Sequence, residues 1–356
     1  MVPELGIIEG FYRTASQPEW HWSQRRDLVG RLAPAGFGFY LYAPKGDESL
    51  RGQWRRPFTP GELSRLADFA AFCRDAGWRF GVGLSPLDAL DDFDSETRQA
   101  LEGKLAALDR VGIVDLALLF DDAPMSGASP ARDQARLAHW VAERSQAQRL
   151  FVCPSYYSDD PMLDRLYGQR PADYLDQLGH HLDPAIQVFW AGEEICPHEI
   201  RAGHLREVAR RLGRKPFLWD NYPVNDGARM SRHLHLRGFT GRGAELAGEV
   251  AGHGINPALQ PTLTAIPALT LPALYRLGEE YGYAAATREA METVLGEPLA
   301  ALVSEDLQRL QDTGLEGLGA GVRERLRARY APFQDPAARE IRAWLEGAYQ
   351  VVDVPG

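Results

Sequence analysis

The tetrapeptide Phe120-Asp121-Asp122-Ala123 follows the apolar run Leu116-Ala117-Leu118-Leu119. A run of this kind reads as a buried strand, which leaves two neighbouring carboxylates at its carboxyl end. Two ionised carboxylates side by side repel, so such a pair shares a proton or meets a ligand or a metal. Helix capping or a salt bridge just past the strand is the plain structural alternative.

A metal reading needs further ligands, and the sequence offers few. No His-Glu-x-x-His occurs, and His180-His181 and His233-x-His235 fall in segments that read as helix or loop. Cys73, Cys153 and Cys196 fit no zinc spacing. The glycine cluster Gly317–Gly321 lacks the preceding strand and the sixth-position glycine of a dinucleotide loop. Neither a metal nor an organic cofactor is expected.

Acid/base chemistry on a glycosidic bond suits the pair better. It needs one carboxyl that donates a proton to the leaving oxygen and one ionised partner. Retaining glycosidases place their two carboxyls roughly 5–5.5 Å apart across the sugar. Adjacent strand residues point to opposite faces and do not readily flank one bond in this way. A 2-acetamido substrate removes the difficulty, because its own carbonyl oxygen can attack the anomeric carbon. One Asp then holds the acetamido N–H and stabilises the oxazoline or oxazolinium. The other acts as general acid and then as general base.

The elements that must position this pair alternate along the chain. Short apolar runs read as strands at Leu5–Phe11, Gly38–Ala43, Arg79–Ser85, Leu116–Phe120, Leu150–Cys153, Ile186–Trp190, Pro216–Trp219 and, weakly, His253–Asn256. Between them lie helical patterns, such as Leu101, Leu105, Leu108 and Val111 after Ser95-Glu96, with Gly112 as a stop. Eight β–α units over about 260 residues fit a (β/α)8 TIM barrel, with a doubly wound sheet as the structural alternative. The polar residues favour the barrel. Glu9, Lys45, Asp121, Asp122, Tyr157, Asp220, Asn221 and Asn256 all fall at or just past strand ends, which converge on one face of a barrel. After residue 267 the pattern becomes helical, at Leu271–Leu295, Pro298–Leu310 and Pro336–Gln350, the last with Asp335 as N-cap. The expected division is a catalytic barrel over 1–267 and a small helical appendage over 268–356.

An ordered set of motifs resembles the catalytic domain of glycoside hydrolase family 84, the O-GlcNAcase and bacterial β-N-acetylglucosaminidase (hyaluronidase-like) family. It comprises Gly6-Ile7-Ile8-Glu9-Gly10-Phe11-Tyr12, Tyr40-Leu41-Tyr42-Ala43-Pro44-Lys45, Leu118-Leu119-Phe120-Asp121-Asp122, Cys153-Pro154-Ser155-Tyr156-Tyr157 and Leu218–Asp226. Gly241–Leu246 and Ile255-Asn256-Pro257 continue it. The resemblance implies a retaining exo-β-N-acetylglucosaminidase that uses substrate assistance. Asp121 would orient and polarise the acetamido nitrogen, Asp122 would be the acid/base, and Tyr157 would donate to the acetamido oxygen. Gly10 and Lys45 would lie against the sugar, with Trp219 lining the acetamido pocket or the sugar face. Asn221, Asp226 and Asn256 would hold sugar hydroxyls or the catalytic carboxylates. The implied substrate is an N-acetylglucosamine-bearing glycoside or glycoprotein. The same machinery on a β-N-acetylgalactosaminide and a catalytically silent sugar binder are the alternatives.

The chain departs from the family pattern at the rim. Arg13 follows Glu9-Gly10-Phe11-Tyr12 where glycine is usual, so the Arg13–Trp20 loop is altered on what could be the aglycone side. Gly46 follows Lys45 where an acidic residue is common, and Ala123–Ser129 is short with no obvious partner histidine. Tyr156 stands where many relatives carry an acidic residue. Arg51, Trp54 and Arg55 follow the lysine motif as rim or loop-packing residues.

Composition bounds the rest. A net charge of −10 argues against non-specific binding of nucleic acid or an anionic membrane. No run of 18 apolar residues and no signal-like N-terminus is seen, so a cytoplasmic enzyme with reduced thiols is expected. Apolar Leu345, Tyr349 and Val351 near the C-terminus could pack on the barrel or on a second subunit as a homodimer.

Overall fold

The computed structural model describes residues 2–14, 16–123 and 129–351. Its centre is a closed barrel of parallel strands in chain order. The strands are β1 (Leu5–Glu9), β2 (Phe37–Tyr42), β3 (Arg79–Leu84), β4 (Asp115–Leu119), β5 (Arg149–Cys153), β6 (Gln187–Trp190), β7 (Phe217–Asp220) and β8 (Gly252–Ile255). Pairing of Leu5 with His253 and of Ile7 with Ile255 joins the first strand to the last, which excludes the open sheet.

The strands are apolar on both faces because one faces the helices and the other fills the barrel. Inside, Phe151 stacks on Phe189 at 5.0 Å, and the edge of Phe217 meets Phe39 at 5.4 Å. Such bulk needs empty neighbours. A Cβ at Gly252 would collide with the Phe217 ring, and one at Gly254 with Ile8. The weak strand pattern of β8 is therefore a packing requirement.

Helices α1 (Trp22–Leu32), α2 (Pro60–Asp75), α3 (Ser95–Val111) and α4 (Pro130–Ala142) follow the first four strands. In α3 the Asp94 carboxylate caps Thr97 N at 2.8 Å, and Gly112 closes the helix in the left-handed region at φ 81°. Two short helices, α5 (Pro161–Tyr167) and α6 (Tyr174–His181), follow β5, and α7 (Ala202–Leu212) follows β6. Regular alternation fails after β7. The link to β8 holds only 3-10 turns, at Met230–Arg232 and Ala244–Gly248.

The C-terminal region comprises α8 (Pro261–Leu277), α9 (Tyr283–Leu295), α10 (Glu297–Leu307), α11 (Gly314–Gly317), α12 (Ala320–Tyr330) and α13 (Pro336–Leu345). The single helix expected over Leu271–Leu295 is broken at Gly278, whose φ of 55° ends α8. Residue 267, the expected boundary, lies inside α8, which packs against α1 of the barrel. Asp335 takes an N-cap backbone conformation, but its side chain makes no cap hydrogen bond. Instead Glu340 of α13 reaches α8, accepting from Thr262 N at 2.9 Å and Leu263 N at 3.0 Å. Leu345, Tyr349 and Val351 are buried within the chain itself, where Val351 N also donates to Ser231 Oγ at 3.0 Å.

Candidate active site

The carboxylate pair sits where β4 runs out. Phe120 N still donates to Cys153 O at 2.9 Å, extending the ladder by one residue. Asp122 then turns the chain with φ 54°, the one positive φ at a non-glycine among the described residues. That conformation costs an L-residue about 1–2 kcal/mol and is typical of functional sites. It also answers the geometric objection to adjacent residues. Strand alternation stops at Asp121, so both carboxylates face one cavity of about 570 Å³.

Lys45, from the β2–α2 loop, ties the pair together. Its Nζ lies 2.8 Å from Asp121 Oδ2 and also contacts Asp122 Oδ2. The two acids differ in exposure, with side chains 4% and 30% accessible for Asp121 and Asp122. Burial pushes the Asp121 carboxyl up, but Lys45 and then Arg51 outweigh it and hold it below the usual carboxylate value. Its Oδ1 is buried and has no hydrogen-bond partner among the described residues.

The Tyr157 hydroxyl donates to Asp122 Oδ1 at 2.9 Å. Burial holds that phenol well above its ordinary pKa, so it is a neutral donor. Opposite, the amides form a chain. Gly10 N donates to Asn256 Oδ1 at 3.2 Å, Asn256 Nδ2 to Asn221 Oδ1 at 2.9 Å, and Asn221 Nδ2 to Ile195 O at 2.8 Å. Asp226 accepts from Tyr12 N at 2.6 Å, and burial raises its carboxyl above the usual value. Trp219 is buried, with its ring edge-on to Phe189 at 5.2 Å.

All nine residues expected at the site, Gly10, Lys45, Asp121, Asp122, Tyr157, Trp219, Asn221, Asp226 and Asn256, line this one cavity. Two polar strand-end residues lie elsewhere. Glu9 is fully buried against Arg25, with Nε–Oε2 at 2.8 Å, and receives the Tyr40 hydroxyl. Asp220 is likewise buried, held by both Arg242 Nη2 at 2.6 Å and His253 Nε2 at 2.9 Å. Burial would raise its carboxyl, but Arg242 and His253 bring it down to about 2. Tyr156 also leaves the cavity, donating to Gly168 O and packing on Tyr174.

Residues 5–312 match the model of the family described as beta-N-acetylglucosaminidase. The chain belongs to the beta-N-acetylglucosaminidase family. Protein O-GlcNAcase of Mus musculus is 29% identical over 282 residues, which cover 76% of this chain and 30% of that protein. Protein O-GlcNAcase of Rattus norvegicus matches to the same extent. The chain therefore spans less than a third of the length of these curated relatives. Among solved structures, a mutant of Thermobaculum terrenum O-GlcNAc hydrolase is 27% identical with a TM-score of 0.79, over 98% of this chain and 81% of that one.

Several lining residues of this beta-N-acetylglucosaminidase family member were not singled out by sequence reasoning. Tyr12, Leu166, Tyr167, Ile195, Cys196, Val224 and Gly227 line the cavity too, as does Cys153 at the end of β5. Most of them lie in loops several residues past a strand, beyond the reach of a strand-end rule. Arg51 also lines the cavity and donates to the backbone carbonyls of Asp121 and Asp122. The altered Arg13–Trp20 loop, described except for residue 15, is pinned by Gln17 Nε2 to Tyr349 O at 2.8 Å and by Trp20 Nε1 to Leu259 O at 2.9 Å. Arg13, Glu19 and Trp20 line a separate pocket of about 250 Å³ with Glu9, Arg25 and Tyr42. Of the Ala123–Ser129 loop, residues 124–128 lie outside the described residues. Among the described residues, no group of three or more His, Cys, Asp or Glu side chains is placed to hold a metal ion, and no helix is long and apolar enough to cross a membrane.

Proposed function

We propose that this chain is a retaining exo-β-N-acetylglucosaminidase that works by substrate assistance. The observation that carries this reading is the asymmetry of the pair. Asp121 is buried, with Oδ1 unpartnered among the described residues and with Lys45 on Oδ2, whereas Asp122 is more exposed on the same cavity. A buried carboxylate with one oxygen held by Lys45 and the other still able to accept suits the N–H of a 2-acetamido group, which becomes more acidic as its carbonyl oxygen attacks the anomeric carbon. Asp122 gives its proton to the leaving oxygen as that C–O bond breaks. It then removes a proton from the water that opens the oxazoline, so the sugar leaves with its original configuration. Tyr157 supplies the hydroxyl that steadies the attacking acetamido oxygen. Asp226, Asn221 and Asn256 bind sugar hydroxyls above the Trp219 ring.

The relatives' names carry the substrate class. Two are called Protein O-GlcNAcase, so the aglycone inferred here is a glycosylated protein side chain.

The test is hydrolysis of paired aryl β-glycosides of N-acetylglucosamine and N-acetylgalactosamine, with the aryl β-glucoside as control. Cleavage of the N-acetylglucosaminide and not the glucoside is expected. Preference for the galactosamine epimer would reassign the sugar. Binding without cleavage of any would make the chain a silent sugar binder. A 2-trifluoroacetamido substrate should react much more slowly, since its carbonyl is a poorer nucleophile, and equal rates would sink substrate assistance.

A further inference from the structure

Arg51 stands apart from the residues that touch the cavity's acids side chain to side chain. Its Nη2 donates to Asp121 O at 3.0 Å and to Asp122 O at 3.1 Å, and its Nη1 to Ser85 Oγ at 3.2 Å. One planar guanidinium thus joins the β2–α2 loop, the end of β3 and the turn after β4. The loop that carries it is anchored from behind. Ser85 N donates to Leu50 O at 2.8 Å, and the buried Lys104 donates to Ser49 O at 2.7 Å. Trp54 is buried and donates to Asp88 Oδ1 at 2.6 Å.

We propose that Arg51 is a positioning residue whose grip on two successive peptide carbonyls sets the angle at which Asp121 and Asp122 face the cavity. The left-handed turn at Asp122 is the unfavourable part of this arrangement. The fork, with Nη2 on the carbonyls either side of that residue and Nη1 on Ser85, fixes its peptide planes against the end of β3, and these planes fix where both carboxylates point. Lysine cannot reproduce this, because a single ammonium lacks the second, coplanar nitrogen that anchors the carbonyl-binding one to Ser85. The guanidinium charge also acts on Asp121, which faces Lys45 and Arg51 with Asp122, Tyr157, Tyr167 and Cys153 around it. The proposal rests on the reading of Asp121 and Asp122 as the working pair.

Two variants separate fork from charge. Arg51→Lys should lower kcat by about 10–100-fold with KM within about threefold, the signature of misplaced catalytic groups. Its acid limb should stay near the native one. Arg51→Gln should lower kcat as much and also move the acid limb to higher pH. A readout free of turnover goes with them: titration of the Asp121 carboxyl by carbon NMR, assigned with Asp121→Asn. In Arg51→Gln this resonance should titrate at higher pH than in the native protein. Arg51 acting only in loop packing predicts a lower Tm and higher KM with the Asp121 titration unmoved, and that result overturns the proposal. So does native kcat in Arg51→Lys, which remains decisive if Arg51→Gln fails to fold. An inactive native protein would sink the glycosidase reading, whereas the carboxyl titration would still decide whether Arg51 governs Asp121.

Discussion

Gly10 and Trp219 fit only as a pair. A methyl group at Gly10 would overlap the Cζ2 edge of the Trp219 indole. Both residues line the cavity, and Gly10 N also holds Asn256 Oδ1. The glycine is therefore required by the tryptophan as well as by any sugar. Gly10→Ala must push the indole into the cavity or drag β1 outward. Overpacking of this kind costs about 1–3 kcal/mol, so a fall in Tm of a few degrees is expected. The larger effect should be on kcat/KM for an aryl N-acetylglucosaminide, down by about 100-fold if the ring moves by roughly 1 Å. Native kinetics in Gly10→Ala would show that Trp219 does not shape the sugar site.

Lys45 sets the acid side of the pH profile. The Asp121 carboxyl is pushed up by burial and pulled down further by Lys45 and Arg51, so it stays ionised into acid pH. Removing Lys45 leaves burial less opposed, and the pKa rises. Activity that needs the ionised form is then lost at a higher pH. Lys45→Met should move the acid limb of kcat/KM upward by about 1–3 pH units, the range for losing one close opposite charge. Lys45→Arg should leave it near the native position. An unmoved limb in Lys45→Met would mean that the Lys45 charge does not control Asp121.

What the sequence reveals of this site follows from strand periodicity, and so do its limits. Continuous apolar runs announced the barrel because parallel strands are covered on both faces. Polar residues at their ends pointed to one face of that barrel. The two-residue period could not say which of two neighbours turns inward. Gly10 lines the cavity while Glu9 is paired with Arg25, and Trp219 and Asn221 line it while Asp220 between them is paired with Arg242. Asp121 and Asp122 break the rule because of a backbone angle that no composition encodes. Arg51 could be read from the sequence only as a rim or loop-packing residue, because the backbone carbonyls it holds carry no residue identity. The break at Gly278 was hidden by helical patterning on either side of it.

Glu340 couples the C-terminal region to the barrel in a pH-dependent way. It is fully enclosed at the start of α8, and burial raises its carboxyl to about 7 against hydrogen bonds from Thr262 and Leu263 that lower it. The folded state therefore holds a proton that the unfolded chain has released above about 4.5. Stability from this group is fully present below that value and falls as pH rises through about 7. Glu340→Gln removes this titration. The Tm of the native protein relative to the variant should drop by several degrees between pH 4.5 and 7.5, measured by calorimetry at matched ionic strength. Parallel Tm curves would mean that Glu340 titrates alike folded and unfolded.

The division of labour within the pair is open to a leaving-group test. Asp122 is the more exposed acid of the pair, and it accepts from Tyr157 at 2.9 Å. General-acid help is worth about 10²–10⁴-fold where the leaving group is a poor one. An acidic phenol departs as its anion and needs little of it. Asp122→Asn should therefore slow alkyl or methoxyphenyl N-acetylglucosaminides by about that factor, and dinitrophenyl substrates far less. The basic limb of the native pH profile should also disappear for the poor leaving group, since no proton remains to be lost. Asp121→Asn should slow both substrate types alike, because the carboxylate it removes serves the acetamido group whatever departs. Equal losses on both substrates in Asp122→Asn would remove the acid role from Asp122.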